Sequence, residues 1–142
     1  MVSRTQILKA AESWIGTPYQ HQASVKAVGC DCLGLIRGVW RDVYGQEPEA
    51  VPAYSPGWAE AARSETLARA AGRHLVPIPC AEFKPGDVLL FRWREGLAAK
   101  HAGIAAEDGY MIHAQDGARV CAVDLTRFWL SRLAYAFRFP DL

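Results

Sequence analysis

Large apolar residues recur every three or four positions in two stretches of the first third of the chain, which is the spacing of one buried helix face. The first stretch predicts a helix over residues 4–15, opened by a capping box between Ser3 and Gln6. The second predicts a helix over residues 32–44 that ends at Gly45. We expect the rest of the chain to be organised around the start of this second helix.

The pattern changes to short strands in the second half of the chain, where glycine-containing turns separate apolar and alternating runs. Residues 126–131 between the last two strands are predicted to form at most one helical turn. Five strands are predicted, over residues 88–93, 101–106, 110–115, 119–125 and 133–139. This order of elements predicts an α+β fold in which the helix over 32–44 packs on an antiparallel sheet of about five strands.

A helical insertion is predicted at about residues 47–80, between the central helix and the first strand. It begins with a proline-rich connection, and Ser55 and Pro56 suit the cap and first position of a helix over residues 57–71. This helix carries few large apolar residues, so we expect it to lie on the surface of the core or to offer a face to a partner. The length of 142 residues predicts a single domain over residues 1–142.

Charge and composition exclude several classes of protein. The formal net charge is +1 and no basic run occurs, so nucleic acid is not an expected partner. Polar residues interrupt the first apolar positions, so neither a signal peptide nor a membrane-spanning segment is predicted. We expect a protein that is synthesised in the cytoplasm and does not associate with a membrane.

The four cysteines are expected to be reduced thiols. Cys30 and Cys32 are too close in sequence to form an easy disulfide. A zinc site is a weak alternative, because two cysteines one residue apart need a second pair of ligands. No metal and no cofactor is therefore expected.

Cys32 occupies a position that favours reactivity. If Asp31 caps the helix, Cys32 lies in its first turn, where unpaired N–H groups and the helix dipole stabilise an anion. We therefore expect a thiol pKa below the ordinary value and a thiolate nucleophile. The alternative is a small buried apolar side chain at a helix start.

His101 and His113 lie on neighbouring predicted strands. A three-residue loop centred on Glu107 would place them directly opposite each other, whereas a two-residue turn at residues 108–109 would place His113 opposite Ile104. The first arrangement would give Cys32 a histidine base, His101, that is oriented by His113. Ordinary strand histidines are the alternative, and the residues alone leave both open. The other two histidines, His21 and His74, are expected to be solvated.

Five short motifs, in order, resemble the NlpC-type (NlpC and p-sixty) family of papain-like cell-wall peptidases. They are residues 16–19 (Gly-Thr-Pro-Tyr), 31–35 (Asp-Cys-Leu-Gly-Leu), 84–91 (Lys-Pro-Gly-Asp-Val-Leu-Leu-Phe), 101–104 (His-Ala-Gly-Ile) and 111–114 (Met-Ile-His-Ala). The resemblance implies a papain-like fold and a cysteine endopeptidase with a Cys-His-His triad. It assigns the catalytic roles to Cys32, His101 and His113, and places Tyr19 and Asp31 at the substrate and oxyanion side.

The implied substrate is the stem peptide of peptidoglycan. Two departures from the common family pattern, Leu33 after the cysteine and the segment 47–80, resemble the peptidases of phage tails and gene transfer agents. That subgroup implies tail-tip or baseplate proteins as partners and delivery to the target wall by a particle. Two other functions remain open: a structural plug or adaptor of a tail without useful activity, and an amidase or acyl transferase that uses the same thiol.

Overall fold

The computed structural model of the chain describes residues 2–48 and 65–142. Its helices are α1 (Arg4–Ser13), α2 (Cys32–Tyr44), α3 (Thr66–His74) and α4 (Arg127–Leu130). The predicted capping box is present at the start of α1, where Ser3 and Gln6 each accept the backbone N–H of the other. Within the described ranges, no helix has the length and apolar character needed to cross a bilayer.

Six strands form the main antiparallel sheet, in the order β3-β8-β4-β5-β6-β7. A separate two-stranded sheet pairs β1 with β2 just before α2. The strands are β1 (Ser24–Val25), β2 (Gly29–Cys30), β3 (Val76–Ile78), β4 (Val88–Phe91), β5 (His101–Ala105), β6 (Tyr110–His113), β7 (Cys121–Asp124) and β8 (Leu133–Arg138).

The α+β prediction is confirmed, with six strands in the main sheet where about five were expected. The additional strand is β3, which pairs with β8 at one edge of the sheet. It has three residues, and its central residue is Pro77, which cannot donate to a neighbouring strand. A proline inside so short a run removes the sequence signal, although an edge strand tolerates it.

Helices α1 and α2 cover one face of the sheet and enclose the larger apolar cluster. The indole of Trp14, the residue that caps the end of α1, lies against Gly38 on α2, and a Cβ on Gly38 would collide with that ring. The Trp14 indole N–H also donates to Asp42 at 2.9 Å. The close crossing of the two helices therefore fixes the direction of α2 and the position of its first residue.

A smaller apolar cluster lies on the other face of the sheet, beneath α4. Its buried members are Leu89, Phe91, Ala105, Met111, Trp129 and Ala136. Because side chains alternate along a strand, β5 contributes Ala102 and Ile104 to the larger cluster and Ala105 to the smaller one. The odd-numbered residues of β5, including His101, therefore face the smaller cluster.

The described part of the predicted insertion packs on the larger cluster. Helix α3 begins at Thr66 and buries Leu67 and Ala68, with Leu67 only 3% exposed. Glu65, which precedes α3, accepts hydrogen bonds from the Ala99 N–H at 2.9 Å and from Arg92 at 3.0 Å. The remainder of the helix predicted over 57–71, residues 57–64, lies outside the described ranges.

Candidate active site

Asp31 caps α2, as the sequence predicted. Its carboxylate accepts the N–H of Gly34 at 2.7 Å and the N–H of Gln22 at 2.7 Å, and its side chain is almost fully buried. Gln22 has a left-handed backbone conformation, with φ of 64°. One carboxylate thus fixes both the first turn of α2 and the loop that precedes β1.

The loop before α2 contacts the helix so closely that only glycine fits at residue 34. A Cβ on Gly34 would collide with the carbonyl oxygen of Ala23. Ser24 reinforces this contact by donating its hydroxyl to the Gly34 carbonyl at 2.6 Å. The result is a rigid entrance to α2 with Cys32 as its first residue.

The thiol of Cys32 is turned inward against the start of β5. Its Sγ lies 3.9 Å from the carbonyl oxygen of Lys100, to which the thiol donates. The backbone N–H of Ala102 also interacts with the sulfur. Among the described residues, the hydrogen bond of this thiol is therefore to the backbone beside His101 and not to the His101 ring.

Burial, followed by the negative charge of Asp31, raises the pKa of the Cys32 thiol to about 12. The N–H groups of Ala102, Leu33 and Cys32 itself act in the opposite direction, but they do not outweigh these two effects. The prediction of a lowered pKa is therefore wrong for this structure. The helix start does supply stabilising donors, but the carboxylate that caps it and the loss of water are stronger.

His101 and His113 meet through a hydrogen bond of 2.8 Å between His101 Nε2 and His113 Nδ1. Their rings are nearly perpendicular, at 83°. The loop between β5 and β6 has the predicted three residues, Glu107–Gly109, because the Ala106 N–H pairs with the Tyr110 carbonyl.

The observed register differs from both of the registers that the sequence left open. The loop is centred on Asp108 and not on Glu107, so His113 lies opposite Gly103. His101 is two residues from Gly103 and shares its face of the strand, so the histidines meet diagonally. Because the loop has an odd number of residues, His101 and His113 still lie on the same face of the sheet, as their hydrogen bond requires.

Both imidazoles are buried and uncharged near neutral pH. His101 is 5% exposed, and burial, followed by the nearby His113, lowers the pKa of His101 to about 3. Burial also lowers the pKa of His113. The resting site thus combines a neutral thiol with a pair of neutral histidines.

Aromatic rings that the sequence analysis did not select surround the histidine pair. The indoles of Trp93 and Trp129 lie 5.4 and 5.5 Å from the His101 ring, both at 28° to its plane. Trp129 also contacts the edge of His113 at 5.3 Å. Trp129 comes from α4, the single helical turn predicted at 126–131, where it is buried between two exposed neighbours. Three large apolar residues stand in a row at 128–130, so the sequence does not single out Trp129.

Tyr19 lies close enough to Cys32 and Asp31 for both to affect its phenol. Its segment bridges to Cys30, and its N–H donates to the Ala118 carbonyl at 3.1 Å. Burial, followed by the nearby Cys32 and Asp31, raises the pKa of Tyr19 to about 12. Its phenol is therefore protonated and can donate a hydrogen bond.

The two histidines expected to be solvated are both half-buried. His21 lies close to the site, with its Nδ1 3.9 Å from the Asp31 carboxylate, whereas His74 is the last residue of α3. All four cysteines are free thiols. The described ranges contain no group of three or more side chains of the kinds that usually hold a metal ion.

The fold and these residues define a papain-like α+β domain with a cysteine at the start of its central helix and a hydrogen-bonded histidine pair on the adjoining sheet. The sequence matches the NlpC/P60 family over residues 16–138. That range includes the cysteine, both histidines, Tyr19 and Asp31. The chain belongs to the NlpC/P60 family.

Curated relatives agree with this assignment. The gamma-DL-glutamyl hydrolase of Bacillus subtilis is 31% identical over 137 residues, which cover 96% of this chain and 29% of that protein. A "Probable endopeptidase" of Mycobacterium tuberculosis is 31% identical over 110 residues, which cover 78% of this chain and 23% of that protein. The chain thus spans less than a third of the length of these relatives.

Solved structures share the fold at lower identity. An NlpC/P60 family protein from Bacillus cereus has a TM-score of 0.70 at 19% identity, covering 97% of this chain and 40% of that one. The NlpC/p60 domain of the peptidoglycan hydrolase SagA has a TM-score of 0.65 at 24% identity, covering 97% of this chain and all of that domain. The similarity shows a shared fold over nearly the whole length of the chain.

Proposed function

We propose that this chain is a cysteine endopeptidase that hydrolyses peptide bonds in peptidoglycan stem peptides. Cys32 is the nucleophile, His101 the base and later the acid, and His113 the group that orients His101. The observation that carries the proposal is the 2.8 Å hydrogen bond between His101 and His113, at the point where the Cys32 thiol contacts β5.

The nitrogens of the histidine pair define a direction for proton transfer. In the tautomer we propose, His101 Nε2–H donates to His113 Nδ1, which leaves His101 Nδ1 as the acceptor for the thiol proton. Catalytic hydrogen bonds in substrate-free enzymes are often long and shorten in the substrate complex. We therefore place deprotonation of Cys32 at the moment of attack, in agreement with the neutral resting pair.

The reaction then proceeds in two steps. The Cys32 sulfur bonds to the substrate carbonyl carbon, and the protonated His101 gives its proton to the nitrogen of the departing amine as the C–N bond breaks. His101 next takes a proton from water, whose oxygen attacks the thioester. Cleavage of the C–S bond releases a carboxylic acid and returns the proton to Cys32.

Two donors are proposed for the oxyanion of each tetrahedral intermediate. They are the backbone N–H of Cys32 at the start of α2 and the hydroxyl of Tyr19, whose raised pKa keeps it protonated. Loss of one such donor lowers the rate by about 10²–10³ in other enzymes. Asp31 contributes to this side of the site by holding the Gln22 N–H and the first turn of α2.

The peptidoglycan substrate is supported by the family and by the name of a structural relative, SagA, which is a peptidoglycan hydrolase. We test it by incubating the protein with purified muropeptides in water enriched in ¹⁸O and identifying the products by mass. Peptide fragments with one ¹⁸O in the newly formed carboxyl group are expected. Release of the sugar from the peptide would identify an amidase, and joined fragments without ¹⁸O would identify an acyl transferase.

We further propose that the protein is carried in a phage-like tail tip or baseplate, where neighbouring tail proteins bind it and the particle delivers it to the cell wall. The support is the sequence resemblance at Leu33 and in the segment 47–80. We assign docking to residues 49–64, which surround Trp58 and contain the first half of the helix predicted to offer a face to a partner.

Replacement of residues 49–64 by a glycine-serine segment of equal length tests the docking assignment. The variant should still release muropeptide fragments as a purified protein, but it should be missing from purified particles by mass spectrometry. A variant that remains in the particles would refute docking through 49–64. A wild-type protein that is found in particles but releases no fragment would favour the structural plug or adaptor.

A further inference from the structure

Trp129 contacts more aromatic partners of the candidate site than any other residue described in it. Its ring lies 5.5 Å from His101 and 5.3 Å from His113, so one indole touches both members of the histidine pair. It also meets Phe91 at 5.2 Å and Trp93 at 5.8 Å. The hydrogen bond between the histidines is therefore covered on this face of the sheet by one side chain.

The short helix α4 buries Trp129 and leaves the side chains on either side of it exposed. Trp129 is 9% exposed, whereas Phe128 and Leu130 are 49% and 48% exposed. A helix of four residues has little stability of its own. Its burial of a single indole against the histidines is thus the main contact that α4 makes with the sheet.

Arg132 connects α4 to the segment after β4 that carries Trp93. Its Nη1 donates to the Phe128 carbonyl at 2.8 Å, and its Nε donates to the Trp93 carbonyl at 3.2 Å. The guanidinium also lies over the Phe128 ring, 3.9 Å from its centroid. These contacts of Arg132 hold the indoles of Trp93 and Trp129 in a fixed position around His101.

We propose that Trp129 is a positioning residue of the reaction, which covers the His101–His113 hydrogen bond and keeps water away from it. The inference rests on the proposed function, in which His101 is the base. Exclusion of water strengthens a hydrogen bond between two rings and restricts their rotation. A fixed hydrogen bond at His101 Nε2 also fixes the orientation of the His101 ring, and with it the position of Nδ1.

The test compares Trp129→Leu and Trp129→Phe with the matched control Trp40→Leu. Trp40 stacks on Tyr44 at 4.4 Å, at the far end of α2 from Cys32. We expect Trp129→Leu to lower kcat about tenfold or more with little change in KM, because displacement of a catalytic group reduces the rate of the bound complex. Trp129→Phe should retain most of the activity, and Trp40→Leu should lose stability but keep its kcat.

A second readout does not depend on turnover. Proton NMR of the wild type and of Trp129→Phe should show an imidazole N–H signal that exchanges slowly with water, and Trp129→Leu should lose it. A Trp129→Leu protein with wild-type kcat, or with a protected N–H signal, would overturn the inference. If the wild type releases no muropeptide fragment, the proposed function fails, and the N–H signal alone decides whether Trp129 holds the hydrogen bond.

Discussion

Gly103 lies directly opposite His113 across the β5–β6 pair, and the space above Gly103 is what the histidine pair requires. A Cβ on Gly103 would lie 2.9 Å from the Met111 sulfur, 3.3 Å from the Ile112 carbonyl oxygen and 3.4 Å from His113 Cβ. The carbonyl belongs to the backbone of the paired strand, so it cannot rotate away. Glycine at this position therefore determines how closely β6 carries His113 to His101.

Substitution of Gly103 by alanine should displace His113 and reduce activity. We expect muropeptide turnover to fall by about tenfold or more, and overpacking to lower the free energy of unfolding by about 1–3 kcal/mol. The control is Gly72→Ala in α3, where a Cβ meets only Phe137 at 3.9 Å. That change should stabilise the protein by up to about 1 kcal/mol and leave turnover unchanged. Full activity in Gly103→Ala would refute the role of this close contact.

The alkylation rate of Cys32 should depend on pH as expected for a thiol that is neutral at pH 7. Because burial and Asp31 raise its pKa to about 12, the rate of reaction with iodoacetamide should increase continuously from about pH 6 to about pH 10. Peptide mapping by mass separates Cys32 from the other three cysteines. A fast rate that is constant below pH 7 would instead show a preformed thiolate, and would contradict a neutral Cys32 thiol in the substrate-free protein.

The charge of Asp31 should suppress the reactivity of its neighbour. Asp31→Asn removes a negative charge that raises the thiol pKa, so Cys32 should alkylate several times faster at neutral pH. The amide keeps one acceptor for the α2 cap, and we expect a loss of about 1 kcal/mol in the free energy of unfolding. The matched control is Asp42→Asn near the other end of α2, which should leave the alkylation rate at the wild-type value.

Acid should destabilise the folded protein through His101. Its pKa is about 3 when folded and 6.5 in its ordinary state, so between these values the unfolded chain binds more protons. The contribution of neutral His101 to the free energy of unfolding is fully present above about pH 6.5. It falls by about 1.4 kcal/mol per pH unit as the pH decreases toward 3. Urea unfolding at several pH values should therefore show that the free energy of unfolding falls more steeply with decreasing pH for the wild type than for His101→Gln. Equal slopes would show that His101 does not titrate in this way.

Local signals were sufficient to predict the central helix. The cap at Asp31, the apolar stripe and Gly45 all act within one or two turns of the chain, and α2 occupies the predicted residues. All five predicted strands are present with shorter ends. Strand β3 could not be predicted in the same way, because only its pairing with β8 makes an extended Val76–Ile78 favourable.

The register of the histidines depended on a detail of the hairpin. Asp108 and Gly109 are both left-handed, with φ of 58° and 76°, which two-residue and three-residue loops can each contain. The sequence Asp-Gly therefore marks the turn but does not fix its centre. Packing of the neighbouring strands selects one register, and that information is spread over the whole sheet.

The electrostatics of the site were least accessible from sequence. The helix start at Cys32 is a local feature, and it predicts stabilisation of an anion. The opposing effects, the enclosure of the sulfur by β5 and the orientation of the Asp31 carboxylate, arise only when the chain folds. Trp129 was missed for the same reason, since its partners are distant in sequence.

The most direct test of the account is digestion of purified peptidoglycan by the wild type, by Cys32→Ala and by the control Cys80→Ala, with all three shown to be folded. Cys80 is a half-buried thiol in the short turn before β4. We predict muropeptide fragments from the wild type and Cys80→Ala and none from Cys32→Ala. Equal release of fragments by Cys32→Ala would contradict a nucleophilic role for this cysteine.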